Sequence, residues 1–509
     1  MSELPKLDHP IDEQLTQDDA SDGTISFNSF LGTRSAFHEA EARREAVAAE
    51  ADHPHFTDQG NAQRLVALHG DRFRYCHPMK TDLVWAGTRW KRDDTAQIAR
   101  FAKDVARSIY REASEETDDK RCKDLVSWGR KCESHQRIEA MIKLARSEPG
   151  IPVRQEELDA NVWLLNVKNG TLDLRTGELR SHDPNDLITK LAPVEYDPDA
   201  QLELWDKFLG RILPDYELRS FVQRAAGYTL TGDAGEEVLF FPYGPAATGK
   251  STFLEAMKAT LGDYAATLDF ETLLRRRDSG GPRNDIARLA GARMAVSLEV
   301  DEGKWLAEGL VKSITGGDKV CARFLYKEAF EFLPSFKLWL GANHRPKVKD
   351  DDSALWRRIL QISFVVEIPR DERDPKVKAT LRDPKQAGSA ILNWALQGCL
   401  EWQKLGNLAV PKAVWDATSE YRVEMDPIRA WLDECCEIDV NALTLSSELW
   451  ESYRTYERGR GVGRTQFQNR LKHHGFVPGE KIEGRRAWQG LRLIPDASDA
   501  SEGFSVNLP

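Results

Sequence analysis

The stretch GPAATGKS at residues 244–251 constrains this chain more than any other feature. A short apolar run at residues 238–241, suited to a buried strand, precedes it, and a helical pattern begins at Ser251. Glycines let backbone N–H groups approach phosphates closely where a helix begins, and the helix dipole favours negative charge there. The stretch therefore predicts a phosphate-binding loop in an α/β domain. The alternative is a glycine-rich turn that binds no nucleotide.

The side chains of this loop suit ATP and Mg²⁺ as ligands. Lys250 would reach the β- and γ-phosphates, and the Ser251 hydroxyl would ligate Mg²⁺. The predicted nucleotide-binding residues are Gly244, Thr248, Gly249, Lys250, Ser251 and Thr252.

Acidic residues follow a second apolar strand, which is predicted at residues 294–298. Glu299 stands at its end, and the carboxyl edge of a parallel sheet would bring this carboxylate to the phosphate-binding loop. Mg²⁺ is therefore expected to be held by Ser251 and Glu299. Asp301 and Glu302 are both candidates for polarising the attacking water, and the sequence does not choose between them. Solvated surface acids are the alternative.

Two more polar segments lie downstream. A strand predicted at residues 338–340 leads to Asn343, whose amide can donate to a γ-phosphate or to the attacking water. The alternative is a turn-forming asparagine. Arg357 and Arg358 precede a strand predicted at residues 359–364. A guanidinium is planar, permanently charged and bidentate, so either arginine could stabilise a transferring phosphoryl group from a neighbouring subunit. A surface basic pair is the alternative.

The order of these motifs resembles that of superfamily 3 helicases. The phosphate-binding loop, the strand with Glu299, TGGD at residues 315–318, the strand with Asn343 and WRRI at residues 356–359 follow one another in that order. More narrowly, the chain is similar to the phage and plasmid primase–helicase family, which is related to the poxvirus-type helicase–primase. The segment LNVKNGTLDL at residues 165–174 resembles the domain that precedes the helicase in that family.

The resemblance implies a fold and a role for each motif. It implies an α/β chain with an AAA+-like P-loop NTPase core, a mixed α/β N-terminal domain and a C-terminal winged-helix-like module. Glu299 would be the Walker B acid and Asn343 the sensor. Arg358, directly before its strand, fits the arginine finger better than Arg357. Subunits would form a ring, expected to be a hexamer, with ATP between neighbours.

The resemblance also implies a DNA-gripping β-hairpin between residues 318 and 334. By spacing, Tyr326 and Lys327 fall near its tip and Arg323 lies in one arm. A lysine there would contact a phosphate without distinguishing sequences. The alternative is a surface lysine in an amphipathic hairpin.

Local patterns predict further elements. Residues 95–113 are expected to form an amphipathic helix, and residues 204–232 are expected to be helical. Residues 163–167 and 171–174 are expected to form a hairpin, because Asn169 and Gly170 supply the positive φ angles of a tight turn. Residues 443–493 are expected to form two helices and then a two-strand hairpin with its turn near residues 480–484.

The chain divides into six predicted segments. They are a largely disordered acidic N-terminus at residues 1–55, an α+β domain at 56–203, the ATPase domain at 204–370, a helical linker or collar at 371–440, the winged-helix-like module at 441–495 and a tail at 496–509. The net charge of the whole chain is −11, so any DNA contact depends on local basic patches.

One such patch lies in the C-terminal module. Residues 443–493 contain ten Lys and Arg against five Glu, a local net charge of +5. A helix at residues 464–474 would suit a DNA groove, and a wing at residues 481–486 would touch phosphates. Winged helices also mediate protein contacts, so both uses stay open.

Composition excludes other classes of protein. There is no signal-peptide core and no apolar run long enough to span a bilayer, and seven dispersed cysteines form no CxxC pair. We expect no membrane partner and a cytoplasmic location, in a bacterial host. The alternating aspartates of a primase are missing from the upstream sequence, so a separate primase or polymerase is a candidate partner.

These observations predict an ATP-dependent replicative DNA helicase that translocates on single-stranded DNA and unwinds duplex. The alternative function is a nucleotide-gated, origin-binding or regulatory protein that does not separate strands. The predicted DNA-gripping hairpin favours the helicase over the regulatory protein.

Overall fold

The chain forms two compact units. The computed structural model describes residues 55–274, 284–298, 303–323, 329–348, 353–426, 428–458 and 462–494. Of these, residues 55–84 and 92–154 build the first unit, and residues 85–91 and 155–494 build the second. In these ranges, no helix combines the length and the apolar character that a bilayer span requires.

The first unit is mainly helical. Its elements in chain order are α1 (Asp58–His69), β1 (Phe73–Cys76), β2 (Thr81–Trp85), β3 (Trp90–Arg92, which crosses the boundary between the units), α2 (Gln97–Glu115), α3 (Asp119–Cys132) and α4 (His135–Ala145). The Asp93 carboxylate accepts hydrogen bonds from the N–H groups of Gln97 and Ile98 and so caps α2. The apolar stripe of α2, which includes Phe101, is buried. The amphipathic helix predicted at residues 95–113 is confirmed.

The second unit begins with a three-stranded antiparallel sheet of β4 (Leu164–Val167), β5 (Gly170–Asp173) and β6 (Glu178–Arg180). The hairpin predicted there is confirmed, because Val167 pairs with Gly170 across a two-residue turn. The predicted reason for the glycine was wrong, since Gly170 does not have a positive φ. A Cβ atom on Gly170 would lie 2.3 Å from the carbonyl oxygen of Arg180, so the close neighbouring strand requires the glycine.

Two helices occupy the segment that was predicted to be helical from residue 204 to 232. They are α5 (Glu203–Ile212) and α6 (Tyr216–Leu230). Pro214 disfavours helical geometry at the preceding residue, and Leu213 accordingly has a φ of −134° and a ψ of 72°. The Asp215 side chain then caps α6 by accepting from the N–H of Leu218 at 3.0 Å.

A five-stranded parallel sheet forms the centre of the second unit. Its strands are β7 (Leu239–Tyr243), β8 (Ala265–Thr267), β9 (Met294–Leu298), β12 (Lys337–Gly341) and β13 (Ile359–Ser363), in the spatial order β13-β7-β12-β9-β8. All four strand pairs are parallel. The strands predicted around residues 238–241, 294–298, 338–340 and 359–364 are confirmed, and so is the α/β class. Strand β7 lies between β12 and β13, so the carboxyl ends of all three lie at one edge.

Helices and a hairpin connect these strands. They are α7 (Lys250–Leu261), α8 (Asn284–Ala287), α9 (Glu308–Thr315), the antiparallel pair β10 (Val320–Arg323) and β11 (Ala329–Phe332), and α10 (Ser353–Trp356). After the sheet come α11 (Pro375–Arg382), α12 (Gly388–Leu405) and α13 (Lys412–Glu424).

One hydrophobic core crosses both predicted boundaries of the ATPase domain. Leu172 of β5, Phe240 of β7 and Ile391 of α12 belong to the same buried cluster. Tyr421 of α13 belongs to a second cluster on the other face of the sheet. The core of the sheet therefore extends past the boundaries predicted after residues 203 and 370, because apolar side chains of α12 and α13 are buried in it, and the division into six segments stays a prediction.

A separate small core holds the C-terminal module together. The module comprises α14 (Arg429–Cys435), β14 (Cys436–Leu445), α15 (Ser446–Tyr456), α16 (Arg464–His473), β15 (Val477–Ile482) and β16 (Arg485–Leu493). The sheet order is β14-β16-β15, and Trp431, Phe467 and Trp488 are buried in the core. The predicted succession of two helices and a hairpin is found, and the tight turn at Glu483 and Gly484 has two positive φ angles. The sequence did not predict strand β14.

Helices α6 and α12 cross at two glycines, and this contact yields a test of the fold. A Cβ atom on Gly227 would lie 2.0 Å from the backbone nitrogen of Cys399, and one on Gly398 would lie 2.1 Å from the carbonyl oxygen of Gln223. We expect Gly227→Ala to lower the free energy of unfolding by about 1–3 kcal/mol or more, because backbone atoms must move.

Gly210 is the matched control, since it is also helical but a Cβ atom there would meet nothing within 4 Å. Gly210→Ala should raise the free energy of unfolding by about 0.5–1 kcal/mol. Urea unfolding followed by circular dichroism measures both changes. Equal stability of the two variants would contradict the close crossing of these helices.

Candidate functional site

The loop between β7 and α7 has the shape that its glycines predict. Gly249 has a φ of 85°, which glycine adopts without strain, and α7 begins at the next residue. A Cβ atom on Gly244 would lie 2.0 Å from the carbonyl oxygen of Phe364. The loop is therefore held against the end of β13, and its backbone turns into the amino terminus of a helix, where an anion is favoured.

The Lys250 side chain folds back over this loop. Its Nζ donates to the carbonyl oxygens of Gly244 at 2.8 Å and Pro245 at 2.7 Å, and to the Thr248 hydroxyl at 3.1 Å. Burial lowers the pKa of Lys250 to about 8. Ser251, one residue on, is exposed. The loop thus holds a buried cation beside an exposed hydroxyl, which are the groups that a polyphosphate and its metal ion require.

Asn343 lies beside the phosphate-binding loop, as predicted. The Gly244 N–H donates to the carbonyl oxygen of Ala342 at 3.4 Å, and Tyr243 and Ala342 form a bridge between the ends of β7 and β12. The Asn343 side chain is exposed at this edge of the sheet. The structure therefore brings Asn343 and the loop together.

The predicted acids come directly after β9 in the sequence. Leu298, the last residue of β9, pairs with Gly341 of β12. Strand β12 therefore lies between β9 and β7, so the end of β9 is one strand farther from the loop than Asn343 is. Glu299, Asp301 and Glu302 themselves lie outside the described residues.

The two arginines lie at the opposite edge of the sheet, just before β13. Arg358 is buried, and its guanidinium donates to the Glu237 carboxylate at 2.7 Å and to the carbonyl oxygen of Ala354 at 2.7 Å. The Arg357 side chain is 66% exposed. Arg358, the predicted arginine finger, is therefore held by partners in its own chain, whereas the guanidinium of Arg357 reaches solvent, and the choice between the two stays a prediction.

Strands β10 and β11 form an antiparallel pair where a hairpin was predicted, and its contact with DNA stays a prediction. Arg323 is exposed and pairs with Ala329 at the end of the ladder. Tyr326 and Lys327, which were predicted near the tip, lie outside the described residues.

Arg345 is a residue of this site that the sequence analysis missed. Its guanidinium lies 4.7 Å from the centre of the Tyr243 ring, directly before the phosphate-binding loop. It also donates to Gln361 at 3.0 Å and pairs with Glu424 of α13. These partners are far apart in the sequence, so no local pattern marks Arg345. It ties the segment after Asn343 to α13.

The exposed face of α16 and the wing form a polar, basic surface on the C-terminal module. Gln466, Asn469 and Lys472 are exposed on one side of α16. Arg485 and Arg486 are exposed at the start of β16. Amides that can bond base edges therefore lie on the helix, and guanidiniums that can bond phosphates lie on the wing.

Comparisons with known proteins agree with the predicted resemblance. A domain family described as D5 N terminal like matches residues 62–214, and a family of unknown function, DUF5906, matches residues 243–358. "Putative helicase L207/L206" of Acanthamoeba polyphaga mimivirus is 28% identical over 344 residues, which are 62% of this chain and 35% of that protein. "Putative helicase 022R" of Frog virus 3 is 29% identical over 312 residues, or 57% of this chain and 30% of that protein. This chain thus spans about a third of the length of these curated relatives.

Among solved structures, the apo C-terminal region of NrS-1 covers 84% of this chain and 97% of its own length. The TM-score is 0.46 and the identity is 9%.

The lowered pKa of Lys250 leads to a prediction about proton uptake. At pH 8 part of the amine is neutral, and a bound polyphosphate favours the charged form, so ATP binding should raise the pKa and take up protons. At pH 6.5 the amine is already protonated, and the uptake should be small.

Calorimetric titration with ATP in two buffers of different ionisation enthalpy measures the protons taken up. Lys250→Arg is the control, because a guanidinium stays charged and should abolish the uptake. The same uptake in that variant would contradict the assignment to Lys250.

Proposed function

We propose that this chain, which is similar to D5-like helicase–primase relatives, is an ATP-driven DNA helicase that works as a ring. The observation that carries the proposal is the placement of two groups at opposite edges of one sheet. The phosphate-binding loop follows the carboxyl end of β7, whereas Arg357 precedes the amino end of the neighbouring parallel strand β13. A five-residue strand spans roughly 16 Å.

The distance between Arg357 and the loop supports a site to which a neighbouring subunit contributes the arginine. A guanidinium at one end of the sheet cannot reach a phosphate at the other end of the same subunit. In a ring, the edge of one subunit that carries Arg357 would face the edge of the next subunit that carries the phosphate-binding loop. The guanidinium could then reach the phosphate of the neighbouring subunit. The ring size is expected to be six, as the resemblance implies, and a hexamer would enclose a channel for one DNA strand.

The residues around the loop suit ATP with Mg²⁺. Lys250 would exchange the carbonyl oxygens of Gly244 and Pro245 for phosphate oxygens, which are stronger acceptors. Ser251 and Glu299 would hold Mg²⁺, which neutralises phosphate charge when it is bound. Thr252 follows Ser251 in the first turn of α7.

The remaining polar groups would act on the reacting phosphate. Asn343, at the edge beside the loop, would orient the attacking water, and Asp301 or Glu302 would polarise it. Arg357 of the adjoining subunit would stabilise the charge that develops on the transferring phosphoryl group.

DNA would be contacted at two places. The β10–β11 hairpin, with Arg323 in one arm and with Tyr326 and Lys327 as its other predicted contacts, would grip the backbone of a single strand. The basic surface of α16 and the wing would bind duplex. Hydrolysis would move the hairpins along the strand and so open the duplex at a fork. A separate primase or polymerase would act beside this chain.

That basic surface also supports the second candidate function, a nucleotide-gated protein that binds duplex DNA without separating it. The two functions differ in one measurement. A helicase separates a forked duplex when ATP is present, whereas a gated binding protein holds duplex DNA and leaves it paired.

We expect Lys250→Ala to abolish ATP hydrolysis and strand separation, because the phosphates lose their cation. Arg357→Ala should lower ATP turnover by about 10³-fold or more while ATP still binds. Phosphate release and a fluorescent forked duplex report the two activities.

Lys258→Ala is the control, since Lys258 lies on the same helix but donates to Thr267 away from the loop. It should hydrolyse ATP at the wild-type rate. Full activity of Lys250→Ala would refute the proposed site, and ATP hydrolysis without strand separation would favour the second function.

Duplex binding by the C-terminal module is tested separately by reversing charges. We expect Lys472→Glu and Arg485→Glu to weaken duplex binding and to reduce its salt dependence by about 0.9 in the logarithmic slope for each lost phosphate contact. Fluorescence anisotropy across a salt series measures this. Lys207→Glu, an exposed change on α5, is the control and should leave the slope unchanged. An unaltered slope in the module variants would show that this surface binds something else.

A further inference from the structure

Glu237 contacts both arginines at the edge of the sheet, and no sequence motif marks it. It precedes β7, and its carboxylate is 40% exposed. One oxygen, Oε2, accepts from Nη2 of Arg358 at 2.7 Å and lies 3.3 Å from Nη2 of Arg357. Two permanent cations therefore share one carboxylate oxygen.

The two arginines differ in how firmly they are held. The Arg358 side chain is 8% exposed, and besides Glu237 it donates to the carbonyl oxygen of Ala354. Its own carbonyl oxygen accepts from the N–H of Leu239 at 2.7 Å, which fixes the start of β13 to β7. Arg357 has the longer contact to Glu237 and is mostly in solvent, where an ion pair contributes little.

The turn that carries Glu237 is anchored in the body of the subunit. The Glu237 N–H donates to the carbonyl oxygen of Ala234 at 3.1 Å. The adjacent Glu236 accepts from the indole N–H of Trp402 at 2.7 Å, and its backbone N–H donates to the hydroxyl of Tyr228 at 3.2 Å. The position of the carboxylate is thus set by α6 and α12.

We propose that Glu237 is a positioning residue for the arginine pair at the subunit edge. It holds Arg358 firmly and places Arg357 where its guanidinium can contact the ATP of the neighbouring subunit. The inference rests on the proposed function. When Arg357 moves away to contact the phosphate, Arg358 remains paired with Glu237. The Glu237 carboxylate is therefore not left without a cation. Two cations on one anion also favour the transfer of the looser one to a phosphate.

The test uses mixed rings of full-length subunits. A Glu237→Gln subunit keeps an intact phosphate-binding loop, but its Arg357 is expected to be mispositioned. A Lys250→Ala subunit has no working loop but presents an intact arginine edge. Glu237→Gln alone should lower the turnover number at least tenfold with an unchanged KM for ATP. Mixing it with Lys250→Ala should restore turnover, because intact loops then face intact arginine edges.

The Arg357→Ala and Lys250→Ala mixture tests the arrangement on which the inference rests. If that mixture is not restored, the shared site of the proposed function fails. If it is restored while the Glu237→Gln mixture is not, or if Glu237→Gln alone turns over at the wild-type rate, Glu237 serves its own subunit only and the inference is overturned.

Two further variants distinguish a loss of positioning from a loss of folding. Glu236→Gln changes the neighbouring carboxylate, keeps an acceptor for Trp402 and should hydrolyse ATP normally. Glu237→Asp keeps the charge on a shorter side chain and should recover part of the turnover. Thermal unfolding and light scattering establish that each variant folds and assembles. If Glu237→Asp is as impaired as Glu237→Gln while both assemble, the carboxylate is not what positions Arg357.

Discussion

The close passage of the backbone at Gly244 against the carbonyl of Phe364 is the contact on which the rest of the site depends. It leaves no space for a side chain at the end of β7. The Phe364 N–H donates to Tyr243, and the Ile368 N–H donates to Ala247 within the loop, so the segment after β13 holds the loop from one side. The opening of α7 is fixed by these contacts, and with it the position of Lys250. The conformation of this loop therefore depends on the ends of the adjacent strands β7, β12 and β13 as well as on its glycines.

Two buried basic side chains join the amino ends of the parallel strands to β4 and α6. Arg293 donates to the carbonyl oxygens of Leu230 and Leu164, each at 2.6 Å, and Lys337 donates to Thr231. Burial lowers the pKa of both side chains. Because these donors satisfy carbonyls at the ends of helices and strands, β4 and α6 are locked to the parallel sheet. For this reason the antiparallel sheet of β4, β5 and β6 belongs to the second unit, with the parallel sheet.

The two edges of the sheet have different chemical characters, and the proposed ring follows from the difference. One edge carries Lys250, Ser251 and Asn343, which suit an anion and its metal ion. The other carries Arg357 with Glu237, a cation with an exposed guanidinium. Arg345 links the first edge to α13 through Glu424, and α13 leads toward the C-terminal module.

The sequence by itself determined the elements whose cause is local. The glycines and lysine of the loop, the apolar strands β7, β9, β12 and β13, and the amphipathic helix α2 were predicted, because periodicity and loop chemistry act over a few residues. The tertiary structure decided which arginine faces solvent, that Glu237 contacts both arginines while Arg345 lies against Tyr243, and that α12 and α13 share the core of the sheet. Each of these depends on contacts between residues far apart in the chain. Burial and charge pairing arise only when such residues meet, so no local pattern predicts them.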